Sequence, residues 1–226
     1  MEHHLLEVDG VRVSRREDLR LITGAGQYAS DWNLPGQLHA FFLRADRAHA
    51  KIVSIGVERA LAHPGVVRVY TGADALRAGY VRPLTMLTFK GKGGMEVRLP
   101  ERPVLAHGKV RCVGEPVAMV VAESALAAQD AAELIEVEYE ELPVAIDPEE
   151  ALAPGAPQLH DNVPGNLPFE FEAGDAAAAE AAFARAAHVT RLKLAVTRVA
   201  PNPMEPRACF FNDAATTDIY TVHVHV

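Results

Sequence analysis

The sequence predicts an α+β fold (mixed α/β) in two parts, a first complete α+β domain and a second, incomplete one. Three observations carry this. The apolar run Val117-Ala118-Met119-Val120-Val121-Ala122 leads into an alanine-rich helix, and then into Ile135, Val137 and Tyr139 alternating with Glu136, Glu138 and Glu140. Three further strand-like segments lie upstream. Downstream, a stretch rich in Pro, Ala and Gly separates this unit from a second helix-and-strand set.

In chain order, Ser14 to Leu21 predicts a short helix, with Ser14 as N-cap and Glu17 as its capping-box partner. It ends in Thr23-Gly24-Ala25-Gly26, a turn that lacks the third glycine of a dinucleotide fingerprint. Leu38 to Arg44 alternates as a strand with apolar residues on both faces, so both faces should be covered. Lys51 to Val57 is a second strand, Glu58 to Leu61 a helical turn stopped by His63-Pro64-Gly65, and Val66 to Thr71 a third strand closed by Gly72-Ala73-Asp74. Arg77 to Lys109 has little periodicity and reads as a long irregular loop. Within it, Lys90-Gly91-Lys92-Gly93-Gly94 lacks the Walker spacing and predicts a flexible solvated loop.

An unbroken apolar run at 117–122 is the pattern of a strand buried on both faces. Ser124 caps the helix from Ala125 to Leu134. The following strand has one wet face, where Glu136, Glu138 and Glu140 are solvated rather than poised for acid–base work. If the strands before and after this helix are parallel, the unit is a right-handed crossover. Pro143 to His160 reads as a surface linker, continued by Asn162 to Asn166, with a domain boundary between Leu142 and Asn166. Asp175 caps a second alanine-rich helix reaching Ala187. Strands follow at His188–Val199, Arg207–Phe211 and Ile219–Val226, the last two joined by an Asn212-Asp213 turn.

Composition narrows the function. The 226 residues are 49% hydrophobic and 23% charged, an ordinary globular balance, and the formal charge of −8 argues against a nucleic-acid partner. No run approaches the roughly 18 apolar residues of a membrane span, and Met1-Glu2-His3-His4 is not the opening of a secretory signal, so no membrane partner and a cytoplasmic location are expected. The two cysteines, Cys112 and Cys209, make neither a disulfide framework nor a CxxC metal motif.

Four stretches then stand in a recognisable order: Arg16-Glu17-Asp18 with Leu21-Ile22-Thr23-Gly24-Ala25-Gly26-Gln27-Tyr28; Leu43-Arg44 with Ala48-His49-Ala50, Pro64-Gly65-Val66 and Thr71-Gly72-Ala73-Asp74; Lys109-Val110-Arg111 with Val113-Gly114-Glu115-Pro116-Val117-Ala118; and Pro203-Met204-Glu205-Pro206-Arg207-Ala208. Together they resemble the molybdenum-binding large subunits of the xanthine dehydrogenase/aldehyde oxidase family, most of all its aerobic carbon monoxide dehydrogenase-like branch. The resemblance implies an α/β hammerhead domain over residues 1–145 (core about 20–143), a linker at 146–168, and the start of the first molybdopterin-binding domain, truncated, at 169–226. It implies an oxidoreductase subunit that hydroxylates an aldehyde, an N-heterocycle or a similar small molecule with oxygen taken from water. Its partners would be iron–sulfur and flavin subunits, or the remainder of the large subunit.

The family's glutamine, its glycine-rich cofactor loop and its late glutamate base have no counterpart among the 226 residues. No catalytic, cofactor-binding or metal residue is therefore carried over. No cofactor is expected on this chain alone, with the molybdopterin-type molybdenum cofactor belonging to the complete subunit. The alternatives are a non-catalytic assembly module that docks iron–sulfur or flavin subunits, or a truncated product without function.

The matched positions are Gly114, Glu115, Pro116, Met204, Glu205, Pro206 and Arg207, read as structural or interface residues. Gly114 and Pro116 set the turn entering the buried strand, Glu115 accepts local hydrogen bonds, and Glu205 forms an ion pair. His49 packs and hydrogen-bonds. His223 and His225 share a strand face, but two histidines without a third ligand are a poor metal site.

Overall fold

The computed structural model describes residues 6–8, 11–13, 17–28, 31–80, 90–196, 207–212 and 219–225. Strand β7 (Pro116–Ala122) lies at its centre, with all its residues buried or half-buried. It pairs antiparallel with β3 (Leu38–Arg44) on one side and with β5 (Val66–Thr71) on the other. Beyond β3 come β10 (Ile219–His225), parallel to it, and β9 (Arg207–Asn212), antiparallel to β10. Strands from both sides of the proline-rich stretch thus share one five-stranded sheet. A second sheet has β4 (Ala50–Gly56) between β6 (Lys109–Val110) and β8 (Glu136–Glu141), all antiparallel. A small hairpin, β1 (Leu6–Val8) with β2 (Val11–Val13), precedes both.

Period-two alternation divides the surroundings of β7. Ala118, Val120 and Ala122 pack with Ala128, Ala131 and Ala132 of helix α4 (Ala125–Glu133). Those three alanines recur at i, i+3 and i+4, which places them on one helical face. Ser124 caps the helix, its Oγ accepting from the Ala127 amide at 3.1 Å. Val117 instead joins Ala45, Ala50, Ala106 and Val110 in a second cluster under the three-stranded sheet. The chain after α4 enters β8, which belongs to the other sheet, so the conditional crossover is not formed. The helix links two sheets rather than two parallel strands.

Several local expectations change. Helix α1 spans Asp18–Ile22 and is preceded by Glu17, which makes no side-chain cap; Ser14 lies outside the described residues. Gly72-Ala73-Asp74 does not merely close β5. It opens helix α3 (Gly72–Arg77), because the Asp74 carboxylate accepts from both the Thr71 amide and the Thr71 hydroxyl at 2.9 Å. The brief helix α2 (Glu58–Leu61) forms as expected. Helix α5 covers Ala176–Arg185, with Asp175 as its cap. No strand forms over 188–196, and the Asn212-Asp213 turn lies partly outside the described residues.

Gly72 has a packing reason to be glycine. A Cβ there would run into the Ala106 carbonyl, and the obstacle is backbone, which cannot swing away. Gly72→Ala should cost about 1–3 kcal/mol, the usual range for overpacking, and lower the melting temperature. An unchanged melting curve would show that the α3–Ala106 approach is looser than drawn.

Asp74 predicts a pH dependence. The Thr71 amide and hydroxyl, then Arg77, hold its carboxyl below the ordinary value of 3.8. A carboxyl depressed by folding stabilises the fold above its unfolded pKa and loses that contribution as pH falls through the folded one. Asp74→Asn should therefore melt below the wild type at neutral pH, and the gap should close on acidification below 3.8. A gap constant with pH would refute the charge-based account.

Candidate functional site

The matched turn before β7 is held by backbone and carboxylate hydrogen bonds. Gly114 adopts φ 87°, a left-handed conformation that favours glycine. Its amide donates to the Ala45 carbonyl at 2.8 Å, and its own carbonyl accepts from Arg44 Nη1 at 2.8 Å. The Ala45 amide donates to the Glu115 carbonyl at 2.9 Å, and Glu115 Oε2 accepts from the Arg111 amide at 2.6 Å. Pro116, which has no amide to donate, begins β7, and its carbonyl accepts from Ala106 at 2.7 Å. Met204, Glu205 and Pro206 lie outside the described residues, as does the ion pair expected of Glu205. Arg207 opens β9, separated from β7 in the sheet by β3 and β10. Pro116 and Arg207 thus stand on two strands of one sheet.

The stretch read as a linker is pinned to the first domain. Asn166, at φ 55°, accepts from the Leu159 amide through Oδ1 at 3.0 Å and donates through Nδ2 to the Ala151 and Pro157 carbonyls at 2.9 and 2.8 Å. Val163 is almost wholly buried. Asn162 Nδ2 donates to the Leu99 carbonyl at 2.7 Å, Lys109 Nζ pairs with Asp161 at 2.8 Å, and Arg111 Nε donates to the Leu159 carbonyl at 3.2 Å.

The glycine loop is also tied down, contrary to the free solvated loop expected. The Lys92 amide donates to the Glu170 carbonyl at 2.7 Å, and Lys92 Nζ lies 3.3 and 3.0 Å from the Glu170 and Glu172 carboxylates. Hydrogen bonds from those carboxylates, Glu172 first, raise the Lys92 pKa. The signal that could have found this clasp is charge pairing across the linker. Asn166 announced itself more directly, since after Pro164-Gly165 asparagine is the side chain most tolerant of positive φ.

A cavity of about 550 Å³ opens beside this seam, lined by Leu76, Tyr80, Glu101, His107, Arg111 and Asn162 among others. The Arg111 side chain is only 9% exposed. Burial, then the Arg111 charge, pushes the neighbouring His160 imidazole below its ordinary 6.5, and the hydrogen bond from Lys109 holds Asp161 below 3.8. In the sequence Arg111 is only one residue of the Lys109-Val110-Arg111 stretch, since nothing in a sequence announces that an arginine is buried.

The remaining candidates are mostly structural in their geometry. His49 is buried, with Nδ1 2.7 Å from the Pro143 carbonyl. A carbonyl only accepts, so Nδ1 carries the proton. Glu138 and Glu140 meet Ser54 and Lys51 across the strand pair at 3.2 and 2.7 Å, and Glu136 meets Arg59 of α2 at 2.7 Å, all on exposed surface. His223 stands in register with His39 on the neighbouring parallel strand. No group of three metal-ligating side chains occurs among the described residues, and no described helix is long and apolar enough to cross a membrane.

Comparison with known proteins decides the affiliation. The family profile described as "Aldehyde oxidase and xanthine dehydrogenase, a/b hammerhead domain" matches residues 23–143. The chain belongs to that family. A second profile, a molybdopterin cofactor-binding domain, matches residues 159–226.

Among curated relatives, the nicotine 6-hydroxylase large subunit of Paenarthrobacter nicotinovorans is 40% identical over 219 residues, covering 93% of this chain and 25% of that one. The carbon monoxide dehydrogenase large chain of Afipia carboxidovorans is 36% identical over 212 residues, covering 88% and 25%. Quinoline 2-oxidoreductase from Pseudomonas putida 86 matches in structure with a TM-score of 0.79 at 40% identity, covering 97% of this chain and 27% of that one. The chain thus spans about a quarter of the length of these hammerhead-family relatives.

In the stretch matching the molybdopterin domain, residues 169–196 are exposed throughout and α5 buries nothing. These described residues offer no enclosed set of donors for a pterin or its phosphate. They do not fit the cofactor by themselves, and no chemical step is derived through it.

Asn166 supplies three of the hydrogen bonds that shape the strap. Asn166→Gly keeps the backbone freedom and removes all three, so it should cost about 2–3 kcal/mol at roughly 1 kcal/mol per bond. It should also speed amide exchange over 151–163. Exchange rates matching the wild type would mean that the strap holds without Asn166.

Proposed function

We propose that this chain is the opening part of the molybdenum-carrying large subunit of a hydroxylase, with a hammerhead domain at 1–145, a strap at 146–168 and the first molybdopterin-binding domain beginning at 169. The observation that supports this most is the tandem of hammerhead and molybdopterin profiles, in that order, along nearly the whole chain. The reaction would place oxygen from water on a small molecule such as an aldehyde or an N-heterocycle. Relatives named for nicotine and quinoline favour the heterocycle. The molybdenum cofactor would supply the redox chemistry in the complete subunit, and iron–sulfur and flavin subunits would carry the electrons away. The 226-residue chain alone would be inactive, because the chemistry calls for a bound metal centre and a positioned base and the family motifs matched in this chain supply neither.

A second reading, an assembly module without catalysis, is favoured by the exposed apolar side chains Phe183, Leu192, Leu194 and Val196. The two readings separate on metal content. A large subunit containing this chain, purified with iron–sulfur and flavin partners, should hold molybdenum by elemental analysis and reduce a dye when given N-heterocycles or aldehydes. The 226-residue chain by itself should do neither. Molybdenum-free, inert complexes that still assemble would replace the first reading with the second.

A further inference from the structure

We infer that the cavity beside α3 is a binding site for a small organic carboxylate, anchored by Arg111. The inference stands on the cavity's own chemistry and does not depend on the hydroxylase reading. Arg111 carries an obligatory charge on a side chain with 9% exposure. Its Nε is satisfied by the Leu159 carbonyl at 3.2 Å, but Nη1 reaches the Lys109 carbonyl only at 3.5 Å. The nearest carboxylate among the described residues, Glu101, stands 3.8 Å from Nη2, beyond hydrogen-bond length, and is itself 59% exposed. The other cation of the seam, the half-buried Lys109, is committed to Asp161 at 2.8 Å. Among the described residues, the edge formed by Nη1 and Nη2 is therefore a two-donor fork without a close anionic partner. A buried charge left so is costly, and a carboxylate matches that edge in plane and spacing.

The rest of the cavity favours a carboxylate with an apolar body over a bare inorganic anion. Leu76, Tyr80, Pro103 and Leu105 form apolar walls, while His107 and Asn162 add polar groups to the lining. Its volume of about 550 Å³ lies within the range of small-ligand sites. A phosphate would call for several converging donors or a backbone nest, and the charged donor here is a single guanidinium. Glu101 lines the same cavity and opposes an anion. Since it is exposed and already beyond bonding distance, it can turn to water when the ligand enters.

The test titrates the full 226-residue chain with benzoate, with neutral benzamide of the same shape, and with inorganic phosphate, read by calorimetry and by the shift in melting temperature. Benzoate should bind with a Kd on the order of 1 mM and raise the melting temperature, while benzamide and phosphate bind at least tenfold more weakly. Glu101→Gln should tighten benzoate binding several-fold by removing the opposing charge. Arg111→Met should abolish it. If Arg111→Met fails to fold, Glu101→Gln carries the decision, because that side chain is exposed and its loss leaves the fold intact. Equal binding of benzoate and benzamide, phosphate binding as well as benzoate, no benzoate binding up to about 10 mM, or an affinity unmoved by Glu101→Gln would each overturn the inference.

Discussion

Burial of β7 on both faces is the constraint that the other elements answer to. A central strand needs covers on both sides, and the side chains present dictate what the covers are. Ala118 and Ala122 are too small to hold a helix at a distance, so α4 presents alanines of its own and lies close. Val117 and Val120 are wholly buried, and each contributes about 1.5–3 kcal/mol. The other large-residue positions, Met119 and Val121, face the side away from α4 and line an open cavity of about 820 Å³ with Phe42 and Tyr70. One face of the sheet is thus closed within these residues, and part of the other is not.

The entry to β7 transmits that constraint to the rest of the molecule. Gly114 and Glu115 bond to Ala45, which fixes where β3 ends, and Glu115 also fixes the Arg111 amide. Arg111 and the adjacent Lys109 then reach the strap at Leu159 and Asp161. The exposed ion pairs on β8 are worth little individually, at about 0–1 kcal/mol each. Those at the seam act on a partly buried surface together with neutral hydrogen bonds from Asn162 and Asn166, which do not weaken with salt. The rigidity of the strap therefore depends more on its two asparagines than on its charges.

This distribution explains what could be read from the sequence. Elements whose signal is local were legible: β3, β5, β7 and β8 by alternation or unbroken apolarity, and α4 and α5 by Ser124 and Asp175 before alanine runs. Helix α3 was missed because its first residue is a glycine, which speaks for a turn. Only the pairing of Thr71 with Asp74, together with the approach of the Ala106 backbone, shows why a helix begins there. Strand β6 has two residues, too few for any period to show. The expected strand at His188–Val199 does not form over its described part, 188–196: the stretch alternates, but among the described residues no strand pairs with it, and alternation without a partner does not make a sheet. The family motifs were legible as a set, whereas the cavity at Arg111 was not. It is assembled from residues 72–80, 101–111 and 162, and nothing in the sequence announces that these meet.

The sharing of one sheet gives the strap its mechanical meaning. Because β10 runs parallel to β3, the chain must travel between them by a long connection rather than a tight turn. That connection contains the strap and α5. Each parallel pair from Val222 with Leu38 to His225 with Phe41 fixes β10 against a strand that β7 already holds in register. A one-residue slip of β10 would turn every side chain on it to the opposite face. The strap anchors one end of the intervening chain at Asp161 and Asn166, and the β3–β10 register anchors the other. Between these fixed points, the apolar side chains of the described stretch from 169 to 196 stand exposed.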